Sequence, residues 1–155
     1  MTNPELDAIF QEYAQLVAQA DQLFDRVKKQ FPEEVACTTG CSSCCHASFD
    51  LSLVEAMALN RAFNREFDFG IRRSAVLQAA SDADRQLTRL KRHYFQQARQ
   101  GMSDEDIMVE AAKERVRCPL LGLDETCLLY EHRPITCRLY GVPTSIHGKA
   151  HVCGE

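Results

Sequence analysis

The sequence predicts a mostly α-helical single domain, in which two irregular cysteine-rich segments on a small helical body together form a metal site. Three observations predict it. Apolar residues recur in steps of three and four over four segments. The eight cysteines fall outside those segments, at 37–45 and 118–153. Proline and glycine stand where the helical periodicity stops. A chain of 155 residues with 45% hydrophobic content fits one domain spanning 1–155.

The first helix is predicted over about 4–30. Asn3 can cap it, and Pro4 suits its first position. Leu6, Ile9, Tyr13, Leu16, Ala20, Leu23 and Val27 form an apolar stripe, widened by Phe10, Val17, Phe24 and Phe31. Pro32 ends it. Burying each large side chain contributes about 1.5–3 kcal/mol, so the helix is expected along the core. Pairing with a second copy as a coiled coil is the rival, over fewer than four heptads.

A cysteine loop follows from about 33 to 50. Ser52 and Glu55 then form a capping box for a helix to about 65. Phe67 to Gly70 reads as a break. A second long helix is predicted over 71–99, stopped by Gly101, and a shorter one from Ser103 to about 115. Arg85, Arg89 and Arg92 share a helical face, read as solvated because Asp82 and Asp84 lie within one turn. Beyond Arg117 a minor β-hairpin is predicted near 118–130, with its turn at Gly122–Glu125. Arg133-Pro134 starts one helical turn containing Cys137, and 141–155 reads as loop.

The N-terminal residues show neither a basic n-region nor an apolar h-region, and no apolar run reaches membrane-spanning length. The expectation is a cytoplasmic protein with no membrane association. Net charge of −4 makes nucleic acid an unlikely partner; a protein partner is left open. In a reducing compartment, eight cysteines point to metal instead of disulfides. All eight are candidate ligands: Cys37, Cys41, Cys44, Cys45, Cys118, Cys127, Cys137 and Cys153. Cys41 and Cys44 have the C-x2-C spacing usual for zinc, and no second pair does. Uneven spacing suits the wider cage of an iron–sulfur cluster, so that cofactor is favoured and zinc is the alternative. His46, His132, His147 and His151 are further nitrogen donors, read by default as ordinary hydrogen-bonded residues.

The motif cysteines, with Gly40, Ser52, Glu55 and Cys118-Pro-Leu-Leu…Cys127-Leu-Leu-Tyr130-Glu-His-Arg133-Pro134-Ile-Thr-Cys137-Arg138, resemble the YkgJ-type cysteine-cluster family, the CxxCxxCC zinc- or iron-chelating domain. All eight cysteines correspond. The resemblance covers 37–56 and 118–153, leaving about 60–115 as a helical insertion; the opening here is C-x3-C where the family name has C-x2-C. It implies bound iron–sulfur or zinc. A related domain in flagellin lysine N-methylases also implies an accessory role in protein modification as a less favoured function.

Thiolate is the ligand form, so positive charge near sulfur matters. Arg133 and Arg138 flank Cys137 and are expected to offset thiolate charge around the cofactor; Arg133 pairing with Glu131 at the surface is the alternative. Cys137 in the first helical turn is expected to favour the thiolate. The sequence contains no visible acid–base pair, phosphate loop or nucleophile–base arrangement, so an enzyme assignment stays open. The favoured reading is an iron–sulfur protein with a redox or accessory role; a zinc-binding structural or interaction module is the alternative. Cys44 and Cys45 are adjacent, and both would strain to reach one ion. The two cysteine groups are therefore expected to meet and share ligation, at little entropic cost for the long loop between them.

Overall fold

A computed structural model of the chain describes residues 4–38, 40–146, 149–151 and 153. The Asn3 cap and His147 lie outside them. Among the described residues there are five helices: α1 Pro4–Gln30, α2 Leu53–Glu66, α3 Ile71–Arg99, α4 Asp104–Ala111 and α5 Ile135–Leu139. Single turns of 3-10 helix lie at Ser43–His46 and Tyr130–His132. A short antiparallel ribbon closes the order, β1 Thr144–Ile146 and β2 Lys149–His151, with Ser145 opposite Ala150. The ribbon lies in a stretch whose sequence reads as loop, because three-residue strands are too short to show alternation.

Local signals set the helix ends. Glu5 and Asp7 in the first turn of α1, and Lys28 and Lys29 in its last, complement the helix dipole. Ser52 and Glu55 make both halves of the capping box at α2. Gly101, at φ 98°, closes α3 as a Schellman motif: Met102 N–H donates to the Gln97 carbonyl and Gly101 N–H to that of Ala98. Ser103 caps α4 through the Asp106 N–H at 3.1 Å. Helix α4 stops at Ala111, short of the expected 115. The chain there tightens into two i+3 turns and is then drawn into pairing with the cysteine loop through Val116.

Helix α1 packs on α2 and α5, and α3 packs on α4. The apolar stripe of α1 splits in two. Tyr13, Val17, Phe24 and Val27 are half-buried and Ala20 is buried, whereas Ile9 and Leu16 stay about half exposed. The core joins α2, the start of α3 and the 118–130 segment through Ala62, Phe63, Phe67, Val76 and Leu129. The Phe63 and Phe67 rings stack at 4.9 Å. Among the described residues, no large side chain is completely enclosed. On the basic face of α3, Arg85 pairs with Asp82 at the surface.

The predicted hairpin near 118–130 is realised as a tight turn with one bridged pair, Leu121 with Cys127. Gly122 N–H donates to the Thr126 carbonyl, and Leu128 N–H to that of Leu120, both at 2.8 Å. Glu125 takes φ 60° at the turn. Its carboxylate holds Arg117 at 2.6 Å and accepts from the Ser42 hydroxyl at 3.1 Å, tying the turn to the first cysteine loop.

Two buried polar residues fix α5 to the helical body. Glu55 uses one oxygen for its own helix cap and the other to accept from Ile135 N–H at 3.1 Å. Arg138 grips Asp21 of α1 with two bonds, at 2.9 and 2.7 Å, and donates to the carbonyls of Arg133 and Glu131. Removing Arg138 leaves two carbonyls and Asp21 unpaired. Arg138→Met should therefore lower unfolding stability by about 2 kcal/mol, discounted from a fully buried pair because Asp21 is half exposed. Urea denaturation checks this; an unchanged midpoint would show that the Arg138–Asp21 contact contributes nothing.

Candidate metal centre

Backbone bonds bring the two cysteine groups together. Cys118 N–H donates to the Cys45 carbonyl at 2.7 Å, and Val116 N–H to the His46 carbonyl at 3.1 Å. These two bonds seat the 116–118 segment along the Ser43–His46 turn. Cys45 N–H closes that turn on Ser42 at 2.9 Å. Cys127 stands on the bridged pair with Leu121, and Cys137 lies in α5, whose first N–H is held by Glu55. Cys37 sits against Gly141, where an added Cβ would come within 2.7 Å of the Cys37 Cβ. Lys28 Nζ donates to the Cys37 carbonyl at 3.0 Å, anchoring the loop entrance to α1.

Five thiols line one cavity of about 250 Å³: Cys44, Cys45, Cys118, Cys127 and Cys137. Arg133 lines it too, and Leu59, Leu87 and Leu129 make much of the rest apolar. The expected meeting of early and late cysteines is thus present. Cys37, Cys41 and Cys153 lie off this wall. Cys37 feels the charges of Cys41, Cys44 and Cys153. Cys41 is exposed, its Sγ 3.6 Å from the Ser43 hydroxyl. All eight cysteines are free thiols.

The thiols share protons unequally. The thiol of Cys137, then that of Cys45, hydrogen-bonds to Cys44 and holds it down at about 3. The Cys45 thiol lowers Cys118, and brings Cys127 down to about 7. The donors move the opposite way: bonding to Cys118 raises Cys45, and bonding to Cys44 raises Cys137. Burial, then the repulsion of Cys41 and Cys44, raises Cys37. Cys137 was expected to be a favoured thiolate at a helix start. It is instead a proton donor, because its thiol hydrogen-bonds to Cys44 and Glu55 already takes the first N–H of α5.

Arg133 faces the thiols and lowers Cys44, Cys127 and Cys37 through its charge. Its plane lies 3.5 Å over the Tyr130 ring, and its Nε donates to the Tyr130 carbonyl at 3.0 Å. The alternative pairing with Glu131 does not form. Arg138 was expected beside the sulfurs; its hydrogen bonds run to Asp21 and two carbonyls, so it positions α5 without facing the cavity. His46 Nδ1 lies 3.1 Å from the Ser42 carbonyl and His132 Nε2 lies 2.8 Å from Arg65, ordinary hydrogen-bonded roles. Sequence reasoning missed Asp21 and the second role of Glu55. Both act across the fold, where no local spacing announces them.

Among the described residues, no three His, Cys, Asp or Glu groups are already drawn in tightly enough to hold an ion. The donor set still fits a thiophilic group. Five thiols share a largely apolar wall, a cation stands beside them, and protons held between sulfurs are the ones that metal binding releases.

A helical body carrying a thiol-lined cavity built from two cysteine segments defines the class: a cysteine-cluster metal-binding domain. The chain belongs to the CxxCxxCC family, described as "Putative zinc- or iron-chelating domain", whose model matches residues 36–154 continuously. No curated protein and no solved structure matches the chain.

The proton sharing predicts an order of reactivity in metal-free protein. A lowered thiol is thiolate at lower pH, so at pH 7 Cys44 and Cys127 should react with iodoacetamide ahead of Cys37, Cys45 and Cys137. Mass spectrometry of partly alkylated protein checks this; Cys45 or Cys137 reacting first would contradict it.

Proposed function

We propose that this protein holds an iron–sulfur cluster through thiolates from both cysteine segments, and serves a redox or accessory role toward a protein partner in a reducing compartment such as the cytoplasm. The observation that carries the reading is the cavity with five thiols on its wall, three of them from beyond residue 117. A lone zinc ion sits about 2.3 Å from each of four sulfurs and fills the space between them. A cavity of about 250 Å³ with more than four thiols on its wall supports a larger inorganic group. Cys44, Cys45, Cys118, Cys127 and Cys137 are the first candidates to hold it, with Cys37, Cys41 and Cys153 as further candidates. When bound, the cluster would supply a one-electron redox centre. The chain's own contribution is to orient the thiols, exclude water with apolar side chains and set Arg133 against the accumulated negative charge.

Anaerobically purified protein should contain iron and acid-labile sulfide, absorb in the visible and bleach on reduction with dithionite. Stoichiometric zinc without iron would overturn the cluster and leave the zinc-binding module. Cys118→Ser and Cys137→Ser should each lose most of the bound metal while keeping helical circular dichroism. Full metal content in both would mean that the early loop binds alone.

Metal should also support the tail. The core is thin, and the segment after Cys118 contributes few of its members, so binding free energy there acts as folding free energy. Chelation should make residues 118–153 protease-sensitive while α1 stays helical; equal resistance with and without metal would contradict this.

A further inference from the structure

A second cavity, of about 350 Å³, opens between α1, α2 and the Tyr130–His132 turn. Its volume falls in the range of small-molecule sites, about 300–1,000 Å³. Phe10, Tyr13 and Val17 supply an apolar floor from α1. Four guanidinium groups line it, Arg61, Arg65, Arg133 and Arg138, against one carboxylate, Glu131. In a chain of net charge −4, that is a local excess of positive charge. Arg61 and Arg65 are four apart and project from one face of α2. Arg133 lines the same cavity from the end of the Tyr130–His132 turn, a different element from α2.

The carboxylates that pair with these arginines, Asp7, Glu66 and Asp21, stand outside the cavity lining. Arg138 is fully committed to Asp21 and two carbonyls. The others are not. The Arg61–Asp7 pair is long, 3.4 Å, and largely exposed, as is the Arg65–Glu66 pair. Such pairs are worth little and exchange readily for a better-placed anion. Arg65 also meets His132 Nε2 at 2.8 Å. Arg133 spends its Nε on Tyr130 and stacks on that ring, leaving its outer edge for another acceptor. Arg133 also lines the thiol cavity, so the two cavities share one side chain as a wall.

We propose that this cleft binds a small organic anion, a carboxylate or phosphate head gripped by Arg61, Arg65 and Arg133 with an apolar body on Phe10, Tyr13 and Val17. The site goes beyond the metal centre and does not depend on which metal is held. A planar guanidinium fork matches either head, and the apolar floor selects against a bare inorganic ion.

The test titrates full-length, metal-loaded protein with phenyl phosphate, benzoate, inorganic phosphate and benzyl alcohol by calorimetry. Phenyl phosphate or benzoate should bind saturably, the tighter of the two identifying the preferred head. Inorganic phosphate should bind more weakly and benzyl alcohol not at all. Arg61→Gln with Arg65→Gln, at unchanged metal content, should weaken the better probe by roughly tenfold or more, the loss expected for charge-assisted hydrogen bonds. A second measurement needs no variant. The better probe should protect Arg61 and Arg65 of the wild-type chain from phenylglyoxal, read by mass spectrometry. Absence of saturable heat together with absence of protection would overturn the proposal. So would equal binding of benzyl alcohol, or wild-type affinity in the metal-replete double variant.

Discussion

Two backbone hydrogen bonds, from Cys118 to the Cys45 carbonyl and from Val116 to the His46 carbonyl, hold the molecule's chemistry in one place. They join segments about seventy residues apart and bring late thiols to early ones. Other features serve that junction. Helix α4 gives up its last expected turn to let Val116 reach it, and Val116 is buried there. Glu125 clips the following turn to Ser42, and Glu55 and Arg138 fix α5 so that Cys137 meets Cys44. The junction uses main-chain atoms, so the side chains of Cys45 and Cys118 remain available for sulfur chemistry.

The adjacent pair Cys44 and Cys45 divides the work between two neighbourhoods. Cys45 bonds toward Cys118 and Cys127, and Cys44 toward Cys137. Two neighbouring thiols that must serve different partners are well placed at a tight 3-10 turn, where successive side chains diverge. Arg133 then carries a positive charge that reaches Cys44, Cys127 and Cys37 together. A thiol-rich wall without it would repel its own ionisation.

The helices were legible because their signals are local. Ser52 with Glu55, the left-handed Gly101 and the Pro32 stop each act within a few residues, and each works in the structure as its spacing implied. Periodicity on α1 gave one broad apolar stripe but could not say which part of it faces inward; α2 and α5 decide that. The thiol cluster was legible as a meeting of two groups, because neither could close a site alone. Its proton order was not. Whether Cys137 gives or takes a proton depends on Cys44, ninety-three positions earlier. The pairing of Asp21 with Arg138 is equally invisible along the chain, since an aspartate on a helix surface looks like any other.

The long helical stretch between the two cysteine segments also sets a timetable. During synthesis Cys37 to Cys45 leave the ribosome first, and Cys118 follows about seventy residues later, several seconds at ~5–20 residues per second. Through that interval four thiols stand together with half of their site still unmade. Loading of the shared site we propose would therefore follow synthesis of most of the chain, and a nascent chain stalled within α3 or α4 would present a bare cysteine loop to any oxidant or stray ion that reached it first.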